Sequence, residues 1–226
     1  LGAEARHAVV VRRIRTGEVV LLANGAGLAI SGPVTSAEKD QLTVQVAQVL
    51  NDPVRSYQMI AVQALAKGDR SELAVQLLTE TGADQIIAWQ AERCVVQWSG
   101  ARGEKSLAKW QAVAKEAAKQ SRRFSIPQLS FVTTKQLLTK LADKTVLVLH
   151  EAASESLVEV IKKTFETSEK PPEIVVITGP EGGITDRELE LFAQIGAYRV
   201  RLTDHVLRTS TAGGVALAQL QAVLAR

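Results

Sequence analysis

The chain has 226 residues, of which 46% are hydrophobic and 23% charged, as is ordinary for a globular protein that buries a core. Its 27 basic and 24 acidic residues leave a net charge of +3, which permits a phosphate-bearing partner without requiring one. Only 4% of the residues are aromatic, and this argues against binding single-stranded nucleic acid mainly by stacking bases on rings.

The cysteine count, the histidine positions and the hydropathy argue against a disulfide-bonded, a metal-binding or a membrane-spanning protein. A single cysteine, Cys94, rules out an internal disulfide and fits a reducing compartment, and we expect a buried structural thiol in a strand-like run over residues 93–98. The histidines are scattered, so no metal-ligand spacing is present. No stretch is apolar enough to span a bilayer and no signal peptide is visible, so a cytoplasmic location is predicted. The chain starts at Leu1 rather than Met, and native residues are expected to precede it.

Residues 1–54 predict a small β domain. Strands are predicted over residues 9–14, 18–23 and 42–50, where aliphatic and β-branched residues are frequent. Turn signals separate them at Thr16-Gly17, Asn24-Gly25 and Ser31-Gly32-Pro33, and Asn51-Asp52-Pro53 ends the domain. On the first strand Arg13 and Arg15 would share one face and Arg12 the other, as an RNA-contacting edge or merely as a solvated basic strand.

Residues 55–226 predict an α/β domain. Short apolar runs indicate buried strands at residues 58–64, 85–89, 145–149 and 174–177, and a further strand over Val200-Arg201-Leu202. Amphipathic stretches predict helices at residues 70–81, 104–120, 154–165, 185–195 and 211–224. Thr185 and Glu188 have the spacing of a capping box. This alternation of strands and helices predicts a parallel sheet with helices on both faces.

Polar and glycine-rich segments follow three of the predicted strands, where ligands bind in open parallel sheets. One strand runs into His150-Glu151, and another into Thr178-Gly179-Pro180-Glu181-Gly182-Gly183. The glycine-rich segment lacks the spacing of phosphate loops, and Glu181 would repel a phosphate. It therefore favours a neutral or cationic ligand, although a plain strand–turn–helix connection would also use its glycines.

The third segment contains Leu207-Arg208-Thr209, between a strand and the small-residue helix start Ala212-Gly213-Gly214. Loops in this position often carry function. Arg208 is a candidate functional cation, and a surface ion pair is the alternative. His205 is more simply read as a solvated loop histidine.

Several segments, in order, resemble the RsmE family of SPOUT-class methyltransferases, which modify N3 of a uridine in bacterial 16S ribosomal RNA. The resemblance covers nearly the whole chain. It rests on Leu149-His150-Glu151, on Ile177-Thr178-Gly179-Pro180-Glu181-Gly182-Gly183-Ile184-Thr185, on Val206-Leu207-Arg208-Thr209-Ser210-Thr211-Ala212, and upstream on Lys67-Gly68-Asp69-Arg70, residues 76–82, Glu92-Arg93 and residues 116–122. The chain departs from the family at Thr203-Asp204-His205, where Gly-x-Arg is frequent, and at Leu77, where Lys is common.

The resemblance implies a barrel-like, PUA-like RNA-binding domain over residues 1–54 and a trefoil-knotted methyltransferase domain over residues 55–226. It also implies a homodimer, S-adenosylmethionine as the methyl donor, 16S ribosomal RNA of the small subunit as substrate, and no metal. Two alternatives remain, namely a SPOUT enzyme that acts on another RNA nucleotide and a non-catalytic RNA-binding protein of the same fold.

The chemistry of this reaction and the basic residues suggest further roles, and the resemblance adds the donor site. Arg208 would stabilise charge on the uracil, and His205, Asp204 or Glu181 would accept the proton. RNA would contact Arg12, Arg13 or Arg15. The implied donor site consists of Leu149, His150, Glu151, Thr178, Gly179, Pro180, Glu181, Gly182, Leu202, His205, Val206, Leu207, Thr209, Thr211 and Ala212.

Overall fold

Contacts within the chain divide it into two units, which are Leu1–Val54 with Arg122–Ser125, and Arg55–Ser121 with Ile126–Arg226. The computed structural model describes residues 1–165 and 173–224. The division groups residues 122–125, which follow the helix over Gly100–Gln120 in the chain, with the first unit. The carboxylate of Asp52 accepts hydrogen bonds from the Phe124 amide and the Ser125 hydroxyl, and the Gly27 amide donates to the Phe124 carbonyl. These bonds explain why the segment belongs to the first unit.

The first unit is built around one long strand. Its strands are β1 (Val19–Ala23), β2 (Leu28–Glu38), β3 (Gln41–Val44) and β4 (Gln48–Asn51). All three shorter strands pair antiparallel with β2. A short helix, α1 (Ala3–Arg6), precedes them and continues into a π-helical turn over His7–Val11.

The predicted strand over residues 9–14 is wrong, because this segment is helical in its first part and irregular after it. The Arg12 amide donates to the His7 carbonyl at 3.0 Å and the Ile14 amide to the Ala8 carbonyl at 3.1 Å. Arg13 then ends the helical path with a φ of 55°. Local backbone bonds therefore override the strand preference of the valines. Arg12, Arg13 and Arg15 are all exposed, but they do not alternate across a strand.

The predicted turn at Ser31-Gly32-Pro33 lies inside β2, and the predicted strand over residues 42–50 is two strands, β3 and β4. Between those strands, the Gln45 amide donates to the Pro33 carbonyl and the Ala47 amide to the Ser31 carbonyl. A Cβ atom on Gly32 would collide with the Gln45 carbonyl oxygen. Glycine is thus required here by a close backbone approach and not by a turn.

The second unit contains six parallel strands in the order β10-β8-β9-β5-β6-β7, which confirms the predicted parallel sheet. The strands are β5 (Gln58–Ala64), β6 (Gln85–Gln90), β7 (Gln128–Thr133), β8 (Thr145–Leu149), β9 (Glu173–Thr178) and β10 (Tyr198–Val200). The helices are α2 (Arg70–Glu80), α3 (Gly100–Gln120), α4 (Thr134–Lys140), α5 (Leu157–Phe165), α6 (Asp186–Gln194) and α7 (Thr209–Leu224). Neither β7 nor α4 was predicted, and β10 begins and ends two residues before the predicted strand at 200–202.

Helices cover both faces of this sheet, as predicted. Side chains alternate across a strand, so Gln63 and its register partner Ala88 share one face, and Ala64 and Trp89 share the other. Trp89 packs edge-on against Phe192 of α6, with ring centroids 5.5 Å apart. Gln63 instead bonds to the first residue of α7. The two helices therefore lie on opposite faces.

Two further features of this unit concern the predictions. Residues 93–98 are irregular and form no strand, so that part of the prediction is wrong, although Cys94 is buried as expected. Within residues 1–165 and 173–224, no helix combines the length and the apolar character needed to cross a membrane.

Candidate active site

A cleft of about 660 Å³ opens at the carboxyl ends of β8, β9 and β10. These strands are consecutive in the sheet and parallel, so their ends meet at one edge. The segments that follow the three strands line the cleft together with Arg70 and Arg93. Among residues 1–165 and 173–224, no group of three or more His, Cys, Asp or Glu side chains could hold a metal ion.

Glycines shape the segment after β9. The Gly183 amide donates to the Pro180 carbonyl at 2.9 Å, and Gly183 has a φ of 77°, which favours glycine. A Cβ atom on Gly179 would lie only 2.6 Å from Cγ1 of Ile184. The chain is therefore folded tightly back on itself and presents its backbone to the cleft.

Helix α6 holds the far end of this segment. The predicted capping box is confirmed, because the Thr185 hydroxyl accepts from the Glu188 amide at 3.2 Å and the Glu188 carboxylate accepts from the Thr185 amide. Glu188 is buried, and its carboxylate also accepts from the Glu92 amide and the Thr134 hydroxyl. Arg93, next to Glu92, donates to the Gly182 carbonyl at 3.2 Å. The loop after β6 thus anchors the glycine-rich segment.

The third segment ends in helix α7, and Arg208 is the residue just before it. The Arg208 carbonyl accepts from the amides of Thr211 and Ala212, at 2.9 and 3.0 Å, so its backbone is fixed by the first turn of the helix. The Thr209 hydroxyl donates to the Gly179 carbonyl at 2.6 Å and ties this turn to the glycine-rich segment. The exposed Arg208 side chain lines the cleft.

Charged groups of both signs line the cleft. Arg70, Arg201 and Arg208 are accompanied by the carboxylates of Glu151 and Glu181. A carboxylate oxygen of Glu181 lies 3.6 Å from Nη1 of Arg70 and accepts from the Lys67 amide at 3.4 Å. A ligand of one sign would therefore meet groups of the same sign here, and a zwitterionic ligand is better matched.

His150 is held in one orientation at the end of β8. Its Nδ1 accepts a hydrogen bond from the Ala152 amide at 3.2 Å, and its own amide donates to the Val200 carbonyl at 3.0 Å. Because Nδ1 is the acceptor, the neutral ring carries its proton on Nε2. His150 thus offers a hydrogen-bond donor at the cleft.

The cleft brings together the catalytic candidate Arg208 and residues from all three predicted strand ends, and their functional roles stay predictions. The predicted donor-site residues that line it are Leu149, His150, Glu151, Thr178, Gly179, Pro180, Glu181, Gly182, Leu202, His205, Val206, Leu207, Thr209 and Ala212. Thr211 is not among the lining residues, and its hydroxyl donates to the Arg208 carbonyl. Asp204 is also outside the lining and forms an exposed ion pair with Arg201 at 3.2 Å.

Arg70, Arg93 and Gln63 are among the residues at or near the cleft that the sequence does not assign to the site. In the sequence, Arg70 and Arg93 belong only to segments that resemble the family. Each follows a predicted strand by a few residues, and a cation in that position could have marked it as a site residue. Gln63 is buried at 1% exposure and bonds to Thr209. An amide that follows the apolar run of residues 59–62 could have marked it.

Cys94 lies outside the cleft lining and is buried near Trp89, whose carbonyl is 3.8 Å from the Cys94 sulfur. Burial raises the pKa of the Cys94 thiol, and the carboxylates of Glu188 and Glu181 act in the same direction. A thiol that resists ionisation is a poor nucleophile, in keeping with the structural role expected from the sequence.

Comparison with known proteins gives the family. Residues 53–221 match the model of an RNA methyltransferase domain, and residues 2–47 match that of an RNA methyltransferase PUA domain. The chain is 41% identical to the ribosomal RNA small subunit methyltransferase E of Mycobacterium bovis, over 100% of this chain and 86% of that protein.

Two solved structures have the same fold. One is the ribosomal RNA small subunit methyltransferase E of Neisseria gonorrhoeae bound to S-adenosyl methionine, with a TM-score of 0.85 and 26% identity over 99% of this chain and 90% of that one. The other is a Legionella pneumophila methyltransferase in complex with the same cofactor, with a TM-score of 0.81 and 31% identity over 96% and 88%. With both domain models matched and identity extending over its whole length, the chain belongs to the ribosomal RNA small subunit methyltransferase E family.

Proposed function

We propose that this protein transfers a methyl group from S-adenosylmethionine to N3 of a uridine in the 16S ribosomal RNA of the small ribosomal subunit. The observation that carries this proposal is the cleft at the ends of β8, β9 and β10, with a glycine-rich segment on one side and Arg208 on another. The membership of the family supports the substrate, and two related structures hold the donor.

The residues of the cleft fit this donor. Its volume of about 660 Å³ falls within the usual range of small-molecule sites, about 300–1,000 Å³. The closely folded backbone at Gly179 lines the cleft, so a nucleoside can lie against it without an intervening side chain. The Glu181 carboxylate suits the cationic ammonium group of S-adenosylmethionine. The Nε2–H group of His150 can donate a hydrogen bond to an oxygen or nitrogen atom of the same molecule. When bound, the donor supplies a methyl group already activated by a sulfonium, so no metal is required.

The protein side chains have a different task, since uracil N3 carries a proton and is a poor nucleophile until that proton is lost. Arg208 is permanently cationic, and we assign to it the stabilisation of negative charge on a uracil carbonyl oxygen. His205 and Glu181 line the cleft and can accept the N3 proton, whereas Asp204 is paired with Arg201 outside it. Alignment of the two substrates in the cleft would supply much of the remaining rate.

The finer architecture is part of the same proposal. We assign residues 1–54 to a barrel-like RNA-binding domain that uses Arg12, Arg13 and Arg15, and residues 55–226 to a trefoil-knotted methyltransferase domain. Strand β10 lies beside β8 at the edge of the sheet, and α7, which follows β10 in the chain, packs near β5 and β9. This return of the chain to the middle of the sheet supports the proposed knot. A homodimer that works in the cytoplasm, on small ribosomal subunits, completes the proposal.

Methylation of ribosomal subunits tests this function directly. Small subunits from a strain lacking the enzyme would be incubated with the protein and labelled S-adenosylmethionine, and the modified nucleotide mapped by mass spectrometry. We expect one N3-methyluridine in 16S ribosomal RNA. Methyl transfer to another nucleotide would indicate a different specificity, and donor binding without any transfer would favour a non-catalytic RNA-binding protein.

A further inference from the structure

A buried amide connects the core of the sheet to the cleft. Gln63 lies one residue before the end of β5, in the interior of the sheet, and is 1% exposed. Burying a polar side chain in an apolar strand costs free energy unless hydrogen bonds compensate for it. A buried amide at this position therefore points to a role beyond packing.

The hydrogen bonds of Gln63 have a fixed direction. Its Nε2 donates to the Ala64 carbonyl at 3.1 Å and to the Thr209 hydroxyl at 3.2 Å. Thr209 in turn donates its single hydroxyl proton to the Gly179 carbonyl at 2.6 Å. Because the Ala64 carbonyl can only accept, and the Thr209 proton is already used, the amide cannot be reversed without losing both bonds.

This orientation leaves the Gln63 Oε1 atom without a hydrogen-bond partner, within the part of the chain that the structure describes. Helix α7 passes close to this atom at Gly213, where the Thr178 hydroxyl also lies nearby. A Cβ atom added to Gly213 would lie 2.9 Å from Cδ2 of Leu78 and 3.6 Å from Oε1 of Gln63. The Gln63 side chain therefore forms hydrogen bonds through Nε2, one of them to Thr209, and none through Oε1 among the described residues.

The Thr209 hydroxyl sits between two elements of the proposed site. Its bond to Gly179 holds the glycine-rich segment, and its backbone begins the helix whose first turn fixes Arg208. Each element also has contacts of its own, such as the bond from Arg93 to Gly182. Removal of the Gln63 bond should therefore loosen the placement of one element relative to the other more than either element by itself.

We infer that Gln63 is a positioning residue for methyl transfer, which acts through Thr209 to align Arg208 with the glycine-rich segment. The inference rests on the function proposed above. It requires that Gln63 affect turnover more than donor affinity, and that its effect disappear when the Thr209 hydroxyl is absent.

The test compares Gln63→Met, Thr209→Val and the double variant with the unchanged protein, by turnover on small subunits and by calorimetry with S-adenosylmethionine. Gln63→Met loses the bonds to the Ala64 carbonyl and to Thr209, and the loss of the bond to Thr209 should lower turnover about tenfold, with donor affinity changed less than about threefold. The double variant should be no slower than Thr209→Val. Thr209→Ser, which keeps the hydroxyl, should recover most of the turnover lost in Thr209→Val.

Two measurements separate this role from simple damage to the fold. Met resembles Gln in length, and it removes the unpartnered oxygen together with the two hydrogen bonds of Nε2, so these effects offset each other and the unfolding midpoint should change little. In the protein without donor, amide exchange should quicken at residues 179 and 211–212. Gln221→Met is the matched control: the Gln221 amide on α7 likewise donates a hydrogen bond to another element, at the Thr81 carbonyl, but away from the cleft, and the variant should leave turnover unchanged.

Three results would overturn the inference. The first is full turnover in Gln63→Met and Gln63→Leu. The second is a double variant whose turnover falls by the product of the two single losses. The third is a fall of stability, donor affinity and turnover by similar factors in Gln63→Met. If the unchanged protein itself methylates no RNA, the proposed function fails first, and amide exchange then still reports whether Gln63 orders the two elements.

Discussion

The guanidinium of Arg70 lies 3.6 Å from the carboxylate of Glu181, and both side chains line the cleft. Arg70 is the first residue of α2, a position where the helix dipole disfavours a cation. The neighbouring carboxylate offsets this unfavourable placement. Glu181 is thus already paired before a ligand arrives, so we expect a moderate contribution from it to the binding of a cationic ligand.

Glu181→Gln should weaken the binding of S-adenosylmethionine about tenfold, since a charge-assisted hydrogen bond is replaced by a neutral one. Calorimetry at two salt concentrations measures this, and the difference should shrink at high salt because the site is partly exposed. Glu190→Gln, on the exposed side of α6, is the matched control. Equal affinities for the Glu181 and Glu190 variants would remove Glu181 from the donor site.

Gly179→Val should weaken donor binding sharply, by tenfold or more. Its Cβ atom would lie 2.6 Å from Cγ1 of Ile184, so the glycine-rich segment must shift to admit it. Calorimetry on the folded variant gives the affinity. Gly179→Val combined with Ile184→Ala makes room for the new side chain and should regain part of the binding. A folded Gly179→Val variant of normal affinity would contradict the placement of the donor.

How much of this site the sequence could predict depends on how local each feature is. The capping box of Thr185 and Glu188 needs only residues three apart, and it was found. Strand β7 is an edge strand whose residues are mostly half-buried, so it lacks the continuous apolar run of β5 or β9 and was missed. The strand predicted near Val9 failed because local helical bonds decided its conformation.

Contacts between residues that are distant in the sequence could not be predicted from local sequence patterns. Gln63 and Thr209 are 146 positions apart, and only the fold brings them together. The sequence predicts a turn at Gly32, because no local pattern indicates that the carbonyl of Gln45 lies against it. The strand ends around the cleft were predictable, since parallel strands place their carboxyl ends at one edge whatever their order.

A triple variant of Arg12, Arg13 and Arg15 to alanine should bind ribosomal RNA more weakly and with a flatter salt dependence. Each lost phosphate contact lowers the log–log slope by roughly one unit. Binding titrations from low to high salt measure the slope, and donor affinity should be unchanged. All three side chains are exposed. An unaltered slope would mean that they are only solvated.

Cys94 should be unreactive in the folded protein, and labelling with iodoacetamide near pH 8 should be slow until the protein unfolds. Burial raises its pKa above the ordinary value of a thiol, so the folded state retains the thiol proton at a pH where the unfolded state has lost it. The stability from this group is present at lower pH and is lost as pH rises above about 9. The stability difference between the unchanged protein and Cys94→Ala should accordingly narrow at high pH. Rapid labelling at pH 8 would contradict a buried thiol.

Arg208 is the residue whose substitution should matter most for chemistry. Its backbone is fixed by the first turn of α7 while its side chain is exposed at the cleft, so a guanidinium is available where the uracil would approach. A cation that meets charge only as it develops stabilises the transition state more than the bound substrates. By comparison with oxyanion donors, Arg208→Ala should lower turnover about 100- to 1,000-fold, and Arg208→Lys should restore only part of it.

The fold and the donor affinity of both Arg208 variants should change little. Single-turnover methylation of small subunits, with donor binding measured in parallel, separates the possible roles. Near-normal chemistry in Arg208→Ala would reduce the residue to a surface cation. Lost donor binding would make Arg208 part of the cofactor pocket, because a group that acts on the uracil alone has no reason to alter the affinity for S-adenosylmethionine.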